Sequence, residues 1–251
     1  VTVAVPTVDH ASVGLAALGH GRAVLMEKPL AATLHEADAL VAEAARRQVP
    51  LQVGHIERFN GAVRAARPFL QSPRYLESDR LAPFQPRGTD VAVVLDLMIH
   101  DLDLILHLTG GSAAVDVRAS GVAVLSSHLD MVNARVEFAN GAVANVTASR
   151  VARERVRRLR IFQPNGYLSL DLGEGKGEFM RLRDGWRESG VTRLEDIVER
   201  IILESPAADA LALELDSFLR AARGDAEAVV TGVEGRAALA LALRVSGAVH
   251  H

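Results

Sequence analysis

The stretch Ala23-Val24-Leu25-Met26-Glu27-Lys28-Pro29 is an apolar run of strand length that breaks abruptly on two charges and a proline. A short run of this kind, bounded by turn residues, has the pattern of a strand buried on both faces. Upstream, Val1-Thr2-Val3-Ala4-Val5 repeats the pattern and ends at Pro6-Thr7, after which Ala11 to Leu18 has the length and composition of a short helix closed by Gly19 and Gly21. Downstream, Thr33-Leu34-His35-Glu36 reads as a capping box, in which the threonine hydroxyl and the glutamate satisfy otherwise orphaned amides. It opens an alanine-rich helix to about Gln48, and Leu51-Gln52-Val53 makes a third strand. Strand, helix, strand, helix, strand in succession is a βαβαβ unit, and its short apolar strands predict a parallel sheet covered on both faces.

From about Gly61 the texture changes. The apolar segment Val91 to Leu108 predicts one long helix ending at Gly110-Gly111, and runs of alternating character follow it. Asn140-Gly141 and Asn165-Gly166 lie between such runs and are dipeptides that favour type I′ hairpin turns, so the sheet is expected to be largely antiparallel. Leu211 to Arg223 and Val233 to Val245 are helical by composition, with Gly224 and Gly232 as punctuation. The fold class is α/β plus α+β, divided into residues 1–60 and 61–251.

Bulk properties narrow the function. A chain of 251 residues is long enough for two domains with separate cores, and 49% hydrophobic with 24% charged residues is ordinary globular composition. The net charge of −3 argues against a nucleic-acid partner. With no cysteine, disulfides, thiolate metal sites and cysteine nucleophiles are excluded, which suits a reducing compartment. No apolar run approaches the roughly 20 residues that span a bilayer, and the first residues lack a signal-peptide pattern, so the expectation is a cytoplasmic protein with no membrane partner. Because the chain opens directly on a strand, it is expected to begin inside a fold. The closing His250-His251 resembles a tag stub and is set aside.

Four groups of residues have the pattern of chemistry. Lys28 stands at the carboxyl end of the second strand, the edge where open parallel sheets bind ligands; a solvated strand-end lysine is the ordinary alternative. Proline after it admits a cis bond. On the predicted long helix, Asp96, His100, Asp103 and His107 are spaced by 4, 3 and 4 residues and form one polar stripe on an otherwise apolar surface. Such a stripe is either functional or turned to solvent, and although His and Asp at this spacing can chelate, no further ligand cluster matches, so no metal centre is expected. The turn Gly54-His55-Ile56-Glu57-Arg58-Phe59-Asn60 lies at the same ligand edge and suits a substrate lining or an ordinary loop. Finally, Arg150, Arg153, Arg155, Arg157, Arg158 and Arg160 form a basic run that matches phosphate geometry or, alternatively, a charged strand that discourages stray pairing. No G-x-G-x-x-G, P-loop, G-x-S-x-G or H-E-x-x-H is present.

Taken in order, Pro6-Thr7-x-x-His10, Glu27-Lys28-Pro29 and Asp96-x-x-x-His100-Asp101 resemble the Gfo/Idh/MocA oxidoreductase family, which pairs a Rossmann domain with an open-faced β-sheet domain. The resemblance implies that residues 1–60 are the remainder of a dinucleotide-binding Rossmann domain and 61–251 a substrate and oligomerisation domain, with NAD or NADP as cofactor. Family members open with a strand and a glycine-rich turn, so Val1 would lie some tens of residues downstream of it, and these residues alone would bind NAD weakly or not at all. Pro6, Thr7, His10, Glu27, Lys28 and Pro29 would line the cofactor, and Lys28, Asp96 and His100 would be catalytic. His100 would act as acid/base; Lys28 would stay charged beside Asp96 and stabilise an alkoxide, or act as base if burial strips its proton.

The stretches Val53 to Asn60, Arg80 to Phe84, Val94 to Asp103 and Ala148-Ser149-Arg150 resemble the branch that oxidises the 3-hydroxyl of UDP-N-acetylglucosamine. In that branch Arg58, Asn60, Arg80 and Arg150 would meet the nucleotide sugar. An inositol or simple sugar dehydrogenase, and a non-catalytic sensor or assembly protein of the same fold, are the alternatives. An open sheet with one uncovered face is expected to expose apolar surface and therefore to pair with a second copy.

Overall fold

The computed structural model describes residues 1–85, 91–186, 190, 193–205 and 208–250, the side chains of Leu194 and His250 aside; His251 of the terminal pair lies outside them. The first three strands, β1 (Thr2–Val3), β2 (Val24–Glu27) and β3 (Leu51–Gly54), form a parallel sheet in sequential order, joined by α1 (His10–Gly19) and α2 (Leu34–Arg47). The expected capping box is present: Thr33 Oγ1 accepts from Glu36 N at 3.2 Å and Thr33 N donates to Glu36 Oε2 at 2.9 Å. Two right-handed crossovers in the same direction place both helices on one face. Gly14 makes the packing close, since a Cβ there would stand 2.5 Å from the Met26 Cε and 2.7 Å from Leu40 Cδ2.

Beyond α3 (Gly61–Ala66), nine strands make a second sheet. They are β4 (Tyr75–Leu81), β5 (Ala114–Val122), β6 (Met131–Phe138), β7 (Val143–Ser149), β8 (Val156–Gln163), β9 (Gly166–Asp171), β10 (Lys176–Leu182), β11 (Val198–Leu203) and β12 (Val249–His250). The spatial order is β11-β10-β9-β8-β4-β7-β6-β5-β12. Among the described residues of this sheet, only β4–β7 and β12–β5 run parallel. His250, set aside on sequence grounds, thus pairs its backbone with Ser120 in this sheet.

Both hairpins form where the Asn-Gly dipeptides stand, but neither uses a type I′ turn, which needs positive φ at both central residues. In the first, Gly141 has φ 82° and Asn140 does not share it; Gly141 N donates to Phe138 O at 2.9 Å. In the second, Gln163 pairs directly with Gly166, so the central residues are Pro164 and Asn165, and a proline cannot take positive φ.

The predicted helix from Val91 is also different in detail. It begins as a π turn, Val94–Met98, and continues as α4 (Ile99–Leu108). The wider turn takes Asp96 out of the α-helical spacing that would stack it over His100.

Alternation along the strands sorts the two sheet faces. Leu76, Ser78 and Arg80 of β4 are buried against α4, as are Ala144, Val146 and Ala148 of β7. The outer face is largely polar, contrary to the expectation of an apolar one. It carries Arg160 on Glu77 at 2.8 Å, Arg135 on Glu137 at 3.3 Å and Asn133 on Thr147 at 3.0 Å, around a stack of Tyr75, Phe162 and Tyr167. These polar positions alternate with core residues one by one, so the same period that fills the core solvates the other side.

After the short α5 (Leu194–Ile197), the final helices, α6 (Ala210–Arg223) and α7 (Gly232–Ala248), return to the parallel sheet. Leu239 of α7 belongs to the core under that sheet, whereas Ala238, Leu241, Ala242 and Val245 belong to the core of the large sheet. Close approach depends on Gly235, where a Cβ would lie 2.5 Å from Val53 Cγ2. One helix therefore ties both cores together and fixes the cleft between them.

Candidate active site

The carboxyl ends of β1, β2 and β3 face the π turn and α4. The Lys28–Pro29 bond is cis. Lys28 Nζ donates to the Asp96 carbonyl at 2.6 Å and lies 3.5 Å from its Oδ1, with the two side chains 20% and 34% exposed. The π turn supplies that contact, because a widened turn can turn a backbone carbonyl toward a side chain. Two residues that the sequence places 68 positions apart are thus joined at the edge where Lys28 was expected to act.

His100 follows one turn later. Its Nδ1 is shut off from solvent without a hydrogen-bond partner, and both ring nitrogens of fully buried His55 are in the same condition. The two rings meet edge-to-face with centroids 6.4 Å apart. Burial, then the positive charges of Arg80 and Lys28, hold the His100 imidazole well below its ordinary basicity. Burial also lowers His55, against the opposing effect of Asp103. Both rings are therefore neutral near pH 7. His55 lay within a stretch flagged as a substrate lining, but no spacing rule singles out a lone histidine after a strand.

The other expected site residues separate into different roles. His10, expected beside the cofactor, is buried at the same edge, with Nδ1 2.9 Å from the Pro29 carbonyl and Nε2 3.0 Å from that of Val5, and it braces the first two loops. Pro6 is exposed, Thr7 and Glu27 are half-buried and Pro29 is buried at the same edge. Arg58 was expected to meet substrate, but its guanidinium grips Asp103 at 2.6 and 2.8 Å and Glu234 at 3.2 Å, with the side chain 2% exposed. Asn60 caps α3 through Ala62 N and donates to Glu57 and to the Leu172 carbonyl. Arg80 holds Asp101 at 2.6 and 3.1 Å and Glu57 at 2.9 Å. Arg150 holds Asp130 at 2.7 Å, the Val91 carbonyl at 2.8 Å and Ser126 at 3.0 Å. Buried guanidiniums need such partners, so these three arginines act first as struts of the site. Of the polar stripe, Asp103 is buried on Arg58 and His107 is exposed. Solvent is therefore the setting of one member only.

A cleft of about 430 Å³ opens beside Asp96 and extends along Arg80, Arg150, Arg155 and Arg157. Where Asp96 borders it, Lys28 brings one ammonium, and next to that pair His55 and His100 are neutral imidazoles with unsatisfied nitrogens. That set fits the nicotinamide end of a dinucleotide and a hydroxylated ligand, since it leaves hydrogen-bonding capacity at the ligand edge of the parallel sheet.

Comparison with known proteins agrees with this geometry. Residues 1–55 match the NAD-binding Rossmann domain of the GFO/IDH/MocA oxidoreductases, and residues 52–169 match the GFO/IDH/MocA C-terminal domain. The UDP-N-acetylglucosamine 3-dehydrogenase of Acidithiobacillus ferrooxidans is 42% identical over 250 residues, covering 99% of this chain and 78% of that protein. A solved structure of that enzyme, GnnA, superimposes with a TM-score of 0.91 at 41% identity, over 99% of this chain and 78% of the other. The scyllo-inositol 2-dehydrogenase (NAD(+)) of Bacillus subtilis is 26% identical over 166 residues, covering 61% of this chain and 48% of that protein.

Proposed function

We propose that this chain, which belongs to the GFO/IDH/MocA oxidoreductase family, oxidises a ring hydroxyl of a nucleotide sugar, namely the 3-hydroxyl of UDP-N-acetylglucosamine, with NAD. The observation that carries the reading is Lys28 clasped by Asp96 beside the neutral imidazole of His100, in a chain 42% identical to a UDP-N-acetylglucosamine 3-dehydrogenase across its length.

Alcohol oxidation removes a proton from oxygen and a hydride from carbon. Bound NAD supplies the hydride acceptor, and Thr7, Glu27, Lys28 and Pro29 are the residues of this chain that would hold it. His100 accepts the hydroxyl proton at a ring nitrogen, for which its neutral state is a requirement. Its lowered basicity lets the unprotonated ring persist into more acidic solution than an ordinary imidazole would, so the proton acceptor remains available there. Lys28, held as an ion pair with Asp96, places positive charge where the alkoxide develops. Asp96 orients the ammonium, and His55 closes the space behind His100.

The protein is proposed to work in the cytoplasm, a reading supported by its nicotinamide chemistry and lack of cysteine; among the described residues no helix is long and apolar enough to cross a membrane. Self-association through the outer face of the large sheet is proposed on the aromatic cluster there, in which Phe162 is exposed and Tyr75 and Tyr167 are half-buried. Sedimentation of a single species of monomer mass at micromolar concentration would refute it.

The activity is tested by incubating the intact enzyme with NAD and UDP-N-acetylglucosamine and following NADH. Turnover should exceed that on N-acetylglucosamine or inositol by orders of magnitude. Equal or faster turnover of inositol or a free sugar would favour the simple-sugar reading, and no turnover of any of them would favour a binding protein.

A further inference from the structure

The basic end of the cleft contains two arginines that the buried ion pairs do not occupy. Arg157 has the same strand parity as the buried Leu159 and Ile161, so it lies on the inner side of β8, whereas Arg158 and Arg160 belong to the outer side, and Arg155, just ahead of the strand, lines the same cleft as Arg157. In the β4–β8 ladder Arg157 stands directly opposite Arg80. Like charges directly opposite one another on a strand pair are destabilising. Arg80 is neutralised by Asp101 and Glu57, and those carboxylates are shared with other donors: Asp101 also takes Ser78, and Glu57 also takes Asn60. Arg157 reaches Glu57 only at 3.9 Å, with its side chain 38% exposed. No ion pair to Arg155 occurs among the described residues. Burial and the guanidinium of Arg80 both disfavour the charge on Arg157, which marks positive charge in excess of its local partners.

This excess faces the same cleft as Asp96, whose carboxylate is 3.5 Å from Lys28 Nζ. A ligand whose hydroxyl reaches Lys28 and His100 therefore has its remaining length directed along the arginines. We propose that Arg155 and Arg157 bind the diphosphate of the nucleotide-sugar substrate and thereby position its sugar ring at Lys28. The inference rests on the nucleotide-sugar reading above. Guanidinium forks match phosphate oxygens in pairs, and an anion lodged between Arg155 and Arg157 relieves the repulsion between Arg157 and Arg80. Of the arginines expected from sequence to meet the substrate, Arg80 and Arg150 line the same cleft as this pair, and Arg58 does not.

The test measures UDP binding by calorimetry, and steady-state kinetics, for the intact enzyme and for Arg155→Gln, Arg157→Gln and Arg157→Lys. Hydrogen bonds to charged groups contribute about 1.5–3 kcal/mol, so each Gln variant should weaken UDP about tenfold or more. KM for UDP-N-acetylglucosamine should rise in step while kcat stays within a few-fold, the pattern of lost uniform binding. Arg157→Lys should restore part of the affinity. Affinities for NAD and for uridine should not change, and inorganic phosphate should bind the parent far more weakly than UDP. The proposal is overturned if both Gln variants bind UDP within twofold of the parent, or if NAD and uridine weaken equally with UDP. Unchanged KM together with oxidation of UDP-N-acetylglucosamine would remove the arginine site and leave the activity standing. Arginine-dependent UDP binding without oxidation would do the reverse. Should Arg157→Gln fail to fold, exposed Arg155→Gln carries the same comparison.

Discussion

The wall and the mouth of the cleft are built from the same residue types and behave differently. In the wall and the buried framework along α4 that supports it, Arg80–Asp101 and Arg58–Asp103 are ion pairs at 2.6 Å whose side chains are 1–5% exposed. At the mouth, Lys28 meets the Asp96 carboxylate at 3.5 Å with a fifth to a third of each side chain exposed, and His55 and His100 keep buried nitrogens without partners. A buried charge with every donor satisfied holds a structure in place. Chemistry requires groups whose hydrogen-bonding capacity is not yet used. Burial alone does not mark a functional residue here; incomplete satisfaction at a ligand edge does.

Substitutions on the two sides of this divide should separate rate from stability. The largest effect is expected at the mouth: His100→Ala should lower kcat by about 10²–10⁴ as a general base is lost, and Lys28→Ala by about 10²–10³ as one donor to the alkoxide is lost. The acidic limb of the parent kcat/KM profile should lie below pH 6.5, because burial and neighbouring cations depress His100, and it should vanish in His100→Ala. Urea midpoints of both variants should stay near the parent value. If kcat instead remains within a few-fold, the mouth is structural and the contrast collapses.

At the wall the order reverses. Arg58→Ala leaves Asp103 as an uncompensated buried charge, and breaking a buried pair destabilises by about 3–5 kcal/mol. Urea denaturation should show that loss, with kcat per folded molecule nearly preserved. A variant as stable as the parent would mean that the wall pairs are not struts.

A subtler effect is expected behind the ligand edge. Glu214 of α6 is buried with Oε1 lacking a partner, and burial, aided by the nearby Glu27 carboxylate, raises it to about 7. Its protonated form is the one the fold prefers. The associated stability is complete below the ordinary glutamate range and is lost as pH rises toward and through about 7. Thermal midpoints between about pH 5 and pH 8 should therefore slope downward with pH, and Glu214→Gln should flatten that slope. An identical slope in the variant would assign it to other groups.

What was legible in the sequence is local. Strand runs and the Thr33–Glu36 capping box are set by neighbours within a few residues, and such local patterns placed Lys28 at a strand end and His100 on a helix. The hairpin turns were located correctly but given the wrong type, because Pro164 and the backbone of Asn140 exclude the I′ form. The sequence by itself determined the order of elements, the change of texture near residue 60 and the motifs of the oxidoreductase family. Tertiary structure alone decided which charges hold the wall and which remain available. Arg58 is claimed by Asp103, 45 residues away, and Glu234, 176 residues away, while Arg157, of the same chemistry, keeps most of its fork unpaired among the described residues. Periodicity records which face a side chain takes within its own element. The partner waiting on that face depends on how distant elements are brought together, here by α7 seated through Gly235 against Val53, and no local pattern encodes it.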